Sequence, residues 1–291
     1  MAQHQGQRLI VRRYLNGLLA GALLVGGHGA AYHEVPAAQR TPAVAVRMPA
    51  PQPKTAPRPV EPWILGATPL PRRKDGYGVV RSTPPALVNR QLATIDRLPP
   101  PTSNAFVSTI AAVPPAVLAR STWKPACPVK PEQLRYLTMS FRGFDARPHT
   151  GEMLVNAEVA QTVVDVFKKL FTAGFPVEDM GISSEAELNL PPTGDRNNTE
   201  GFICRPRRGQ TQWPAQAFGL AINLNPFHNP YVNGDLVVPE LASSYLARDW
   251  KRSGMASDGG PAVTAFESAG WKWGGRWPGP VNFAHFSTNG H

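Results

Sequence analysis

Apolar and polar residues alternate from Leu134 to Phe141, putting Leu137, Met139 and Phe141 on one face, and this predicts a strand. The period then changes. Val159, Val163, Val166, Phe167, Leu170 and Phe171 recur at three- and four-residue steps, which predicts an amphipathic helix. Asn156 is placed to cap its start and Gly174 to end it. Residues 181–200, with Pro191-Pro192 and Gly194, are expected to form a loop. Phe218 to Leu224 predicts a central strand with Leu220, Ile222 and Leu224 on one face and Ala221 and Asn223 on the other. Helices are expected over Glu240–Trp250 and from Pro261 to Gly270, and a short last strand over Val281–Phe286. Together these elements predict an α+β domain, a small antiparallel sheet with flanking helices, over residues 123–288.

Upstream of residue 123 the periodicity disappears. About half of the 32 prolines fall between Pro36 and Pro115. Such a stretch buries too little apolar surface to offset chain entropy, so a disordered Pro-rich linker is expected over 32–122. Before it, Arg8, Arg12 and Arg13 precede the apolar run Leu15 to Gly26 and the small residues Ala30-Ala31. That order predicts a secretory signal peptide over 1–31, or a weak membrane anchor if it is not cut. A buried helix of a cytoplasmic protein is the other reading. The run is shorter than the about 20 residues that a comfortable span needs. An exported protein, secreted or held at the cell envelope, is therefore expected. The net charge of +10 is scattered, and no nucleic-acid-binding motif accompanies it. An anionic cell-wall polymer suits such a charge, and so does simple solubility.

One stretch carries candidate chemistry: Gln212-Trp-Pro-Ala-Gln-Ala-Phe-Gly-Leu-Ala-Ile-Asn-Leu-Asn-Pro226. It resembles the Ser-x-His-x-x-Gly-x-Ala-x-Asp signature of the M15 peptidoglycan peptidases, D-Ala-D-Ala carboxypeptidases and L-alanyl-D-glutamate endopeptidases. Gly219 and Ala221 hold their places, while Gln216 stands at the His position and Asn223 at the Asp position. Other segments resemble the family in the same order over residues 123–287. They are Leu134 to Glu152, Asn198-Thr199, Phe202-Ile-Cys-Arg205, Asn225-Pro226 and Asn229-Pro-Tyr-Val232, then Gly270-Trp-Lys-Trp-Gly-Gly275 and Asn282-Phe-Ala-His-Phe286.

The resemblance implies a zinc site whose ligands are His, Asp and a late His, with a carboxylate base three residues before the last. Here only His285 matches a ligand. Gln216 and Asn223 occupy the other ligand positions and Asn282 the base position. Zinc hydrolysis needs three ligands, a bound water and a carboxylate to take its proton. Neutral amides supply neither, so no cofactor is expected, with zinc kept only in an alternative reading. Arg276 stands where relatives carry an acid. Arg205 matches an arginine that the resemblance sets beside the substrate carboxylate or carbonyl, with a structural ion pair as the other reading. His149 is read as structural and His228 as a solvated loop residue with a small chance of ligating. Trp271, Trp273 and Trp277 are read as packing ahead of sugar stacking. The resemblance also implies that Cys127 and Cys204 form a disulfide, with two buried thiols as the alternative.

The expected function is that of a non-catalytic, cell-wall-associated M15-like domain, a pseudoenzyme binding peptidoglycan stem peptides. Two other readings stand beside it: an active zinc peptidoglycan peptidase with an atypical site built on His285 and His228, and a structural or regulatory module that binds a cell-wall protein.

Overall fold

The computed structural model describes residues 63–291. The signal-peptide reading and residues 32–62 of the proline-rich stretch lie outside the described residues. In chain order the elements are β1 (Ser108–Ala112), α1 (Pro115–Ala119), β2 (Leu134–Arg142), β3 (Pro148–Asn156), α2 (Ala160–Thr172), β4 (Asp179–Met180) and α3 (Glu185–Asn189). There follow β5 (Asn198–Thr199), β6 (Ala221–Asn223), β7 (Tyr231–Asn233), β8 (Leu236–Val238), α4 (Pro261–Glu267), β9 (Lys272–Trp273), β10 (Val281–Asn282) and β11 (His285–Ser287). They build three small antiparallel sheets, β1-β2-β3, β10-β7-β8 and β6-β11-β9, and a two-stranded parallel pair, β4-β5. The fold is α+β, as the patterning predicts. No helix among the described residues is long and apolar enough to cross a membrane.

The main core joins the first sheet, α2, α4, β6 and β11. Leu137, Met139 and Phe141 face Val163, Val166, Phe167 and Leu170, with Ile222, Phe266 and Phe286 completing the cluster. The helical stripe read from the sequence is the buried face of α2. Asn156 accepts a hydrogen bond from the Glu158 amide at 3.1 Å, capping a 3-10 turn that runs into the helix. Gly174, at φ +67°, ends it. A second cluster surrounds the disulfide between Cys127 and Cys204, which spans 77 residues of sequence. Closing a loop of that length contributes roughly 4 kcal/mol in the chain-entropy account.

The linker boundary is corrected. Residues 63–107 form a strap that packs on the domain, and Leu70 and Leu87 join Phe227, Val237, Leu241 and Tyr245 in a third cluster. Proline content misleads here because an extended strap needs few backbone donors, so its prolines cost little. The fastening is Arg90, fully buried. It donates to Glu178 at 2.7 and 2.5 Å and to the Asp195 carbonyl at 2.8 Å, and its guanidinium covers Phe227. Asp96 of the strap meets His149 Nδ1 at 2.8 Å. His149, stacked on Phe141 and also bonded to Asp145, is structural as read.

Four element predictions change. Residues 181–200 hold α3, started by a capping box in which Ser184 and Glu187 satisfy each other's backbone amides. The strand expected from Phe218 begins only at Ala221, because Ala215–Phe218 form a 3-10 turn. The helix expected over Glu240–Trp250 is a single 3-10 turn, Ser243–Leu246. Its backbone groups bond the strap instead: the Ser244 amide donates to Thr83 Oγ1 at 2.8 Å, and Thr83 Oγ1 donates to the Leu241 carbonyl at 2.6 Å. The last strand is split, since Asn282 pairs with Tyr231 in one sheet and His285 with Asn223 in another.

Removing one partner of a buried ion pair strands the other charge and costs about 3–5 kcal/mol, against about 0–1 kcal/mol for an exposed pair. Arg90→Ala is therefore expected to lower the unfolding free energy by about 3–5 kcal/mol in urea titrations. Arg97→Ala, which breaks the more exposed pair with Asp179, should change it by under about 1 kcal/mol. Equal effects would contradict a docked strap.

Candidate functional site

Gln216, Asn223 and His285 come together although 69 residues separate the first from the last. Gln216 sits on the 3-10 turn before β6. Its carbonyl accepts from the Ile203 and Gly219 amides at 3.1 and 3.0 Å, which fixes the turn. Gly219 closes it at φ +69°, and a Cβ there would lie 2.5 Å from the Asn156 amide, so only glycine fits. Asn223 ends β6. Its amide donates to the Glu200 carbonyl at 2.9 Å, and its register partner across the sheet is His285.

Within this frame the Gln216 side-chain amide bridges the other two residues. Its Nε2 donates to Asn223 Oδ1 at 3.0 Å and to His285 Nδ1 at 3.0 Å. The His285 Nε2–H then donates to the main-chain oxygen of His291 at 3.2 Å. This tautomer satisfies every partner with an uncharged ring. Burial pushes the His285 pKa down to about 4, with nearby Arg207 acting in the same direction. Trp277 tilts against the imidazole at 5.1 Å. Gly274 permits the approach, since a Cβ there would lie 2.7 Å from the Asn282 carbonyl and 3.2 Å from His285 Cβ.

Asn282 stands beside this triad and bonds to none of its members. Its Oδ1 accepts from the Ala284 amide at 3.2 Å. An amide there has no basic lone pair, and both His285 ring nitrogens are already engaged, so the triad offers no free proton acceptor.

A zinc ion does not fit this donor set. The Gln216 nitrogen has no lone pair for a metal, and it uses the Asn223 oxygen and the His285 Nδ1 lone pair that would ligate one. Among the described residues no group of three or more His, Cys, Asp or Glu is placed to hold a metal. His228 does not repair the site. The expectation of a solvated loop histidine is overturned: His228 is fully buried, stacked on Phe144, and bonded to Asn197 and to the Arg90 carbonyl. Burial pushes its pKa down to about 3.

The rim is cationic. Arg205 is exposed and pairs with no carboxylate among the described residues. Its pKa is lowered by partial desolvation and then by Arg208, with Arg196 adding to this and Tyr77 and Glu200 opposing it. Glu200 was not singled out from the sequence. Its carboxylate accepts from Ser183 and from Asn198, the latter at 3.1 Å, and burial raises its pKa. Arg276 is not part of this rim, because it pairs with Asp258 and Glu267. Trp271 and Trp273 are buried in the core, as read.

Residues 208–288 match a family model described as D-alanyl-D-alanine carboxypeptidase, of the M15 peptidases. The matched span contains Gln216, Asn223, Asn282 and His285 but neither Arg205 nor the strap. No curated protein and no solved structure matches the chain.

Stability from the uncharged His285 is complete above its ordinary pKa of 6.5 and is lost as pH falls toward about 4. In that window the unfolded ring binds a proton and the folded ring does not. His228 acts in the same direction. The unfolding free energy should therefore fall with pH below about 6.5, and the His285 ring signals in NMR spectra should not titrate between about pH 8 and 5.5. A His285 ring titrating near 6.5 would contradict the bridged triad.

Proposed function

We propose, from the premise that residues 208–288 form a domain of the M15 D-alanyl-D-alanine carboxypeptidase family, that this protein is exported and binds peptidoglycan stem peptides without cleaving them. The observation that carries the reading is the Gln216 amide bridge. It stands at the ligand positions and ties two of them together by hydrogen bonds, leaving an uncharged floor. Hydrolysis by an M15 enzyme draws on a metal-activated water and a carboxylate base. The floor has donors for neither. An atypical zinc site built from His285 and His228 has no support, because His228 is bonded elsewhere in the core.

Recognition then falls to the rim. A stem peptide ends in a carboxylate, and a guanidinium binds carboxylates through two parallel donors. Arg205 is exposed two residues beyond Ile203, whose amide holds the Gln216 turn; it is unpaired among the described residues, and Arg208 and Arg196 act on its charge. A cationic rim around a neutral floor suits an anionic peptide end better than a cationic or apolar ligand. The N-terminal sequence, with its basic flank, apolar run and small residues, supports the exported location.

Calorimetry with a synthetic stem pentapeptide ending in D-alanyl-D-alanine tests this. The wild type should bind and release no D-alanine. Arg205→Ala should weaken binding about ten- to a hundredfold, the equivalent of roughly 1.5–3 kcal/mol. Release of D-alanine would overturn the non-catalytic reading. Equal binding by both forms, or none by either, would overturn the peptide reading in favour of a cell-wall protein partner.

A further inference from the structure

The strap that fastens the domain also reaches this rim. Residues 72–78 fold back on themselves, with the Arg73 amide donating to the Tyr77 carbonyl at 2.8 Å and a bridge from Arg72 to Gly78. Both sides of this turn are anchored. On one side Arg73 donates to Asp235 at 2.9 and 3.2 Å, and the Gly78 amide donates to the buried Glu240 at 2.6 Å. On the other, Arg208 donates to the Gly76 carbonyl at 3.3 Å and lays its guanidinium over the Tyr77 ring at 4.7 Å.

This places Tyr77 against the 205–208 loop, which carries Arg205. Arg208, Arg205 and Tyr231 are the neighbours whose charge acts on its phenol, together with Asp75 of its own turn. Tyr231 is the register partner of Asn282, and Glu200, which lies near Arg205, is the bridge partner of Asn223. Glu200 and Tyr231 thus lie beside Asn223 and Asn282, and Arg208, whose guanidinium covers the strap's Tyr77, lies on the same loop as Arg205.

We propose that Tyr77 is a ligand-binding residue that shares with Arg205 the recognition of the peptide's terminal carboxylate. The inference rests on the stem-peptide reading above and adds to it a specificity element from outside the family match. Its chemistry is that of a fixed donor. A phenol, with an ordinary pKa of about 10, is protonated at neutral pH and donates to an acceptor oxygen. The ring, held against Arg208, is half-buried and presents little rotamer freedom for binding to remove.

The test is calorimetry of the full chain with the same pentapeptide, comparing wild type, Tyr77→Phe and Tyr77→Ala. Tyr77→Phe keeps the ring over Arg208 and removes only the hydroxyl, so its thermal unfolding midpoint should match the wild type. Loss of one hydrogen bond should weaken binding about three- to tenfold in Tyr77→Phe. Tyr77→Ala, which also frees Arg208, should weaken it further. Peptide binding by the wild type, lost in Arg205→Ala and unchanged within about twofold in both Tyr77 variants, would overturn the role of Tyr77 and leave the stem-peptide reading intact. Absence of binding by the wild type would overturn both.

Discussion

A guanidinium buried away from water must find its counter-charge and its hydrogen-bond acceptors inside the protein, and Arg90 imposes that condition on much of this domain. Its partner Glu178 also accepts from Asn197 at 2.8 Å. Asn197 in turn meets His228 at 3.0 Å and accepts from the Phe227 amide at 2.9 Å. The Glu178 amide donates to Asn225 Oδ1 at 3.2 Å, two residues beyond the end of β6. One polar network thus joins the strap, the segment before β4 and the turn that follows the site strand. The strap cannot detach without stranding Glu178, and the site strand cannot shift without disturbing Asn225. This is how a segment far upstream comes to hold Tyr77 against Arg208.

The site obeys a different economy. A metal centre is organised by a cation that attracts anionic and imidazole ligands. Here the turn, β6 and β11 converge on a neutral NH2 group. Gln216 supplies two donors to two acceptors, at distances that are ordinary for hydrogen bonds. The bridge joins the turn, β6 and β11 with no charge on the floor. Positive charge remains on the rim, in Arg205, Arg207 and Arg208, where it stays near solvent and needs no buried counter-ion. A neutral floor under a cationic rim is the feature on which the proposed binding of an anionic peptide end rests.

Much of this was legible in the sequence where a periodic or motif signal existed. The stripe of α2 and the alternation of β2 mark the main core because burial there repeats at the period of the element. The family signature marked Gln216, Asn223, Asn282 and His285 by position. Their hydrogen bonding was not legible, because which amide atom faces which partner is decided by tertiary placement. The strap was missed because an arginine and scattered prolines carry no core signature, although Arg90 is among the most buried residues of the domain. The same gap hid Tyr77. Glu240–Trp250 misled for a related reason: its apolar residues are spaced for a helix, but Thr83 of the strap takes the backbone groups a helix would use. His228 resembled a loop residue in sequence and is instead an interior member of the Arg90 network. Arg276 has two partners, Asp258 and Glu267, that no local pattern announces.

The central claim is that the Gln216 bridge has replaced a metal at this site, and zinc titration of metal-stripped protein tests it most directly. The wild type should bind no stoichiometric zinc. The combined change Gln216→His, Asn223→Asp and Asn282→Asp restores two ligands and the base on an intact frame, and this variant should take up zinc stoichiometrically. Stoichiometric zinc in the wild type would contradict the account, and a folded triple variant that binds none would show that the three positions no longer converge as a metal site requires.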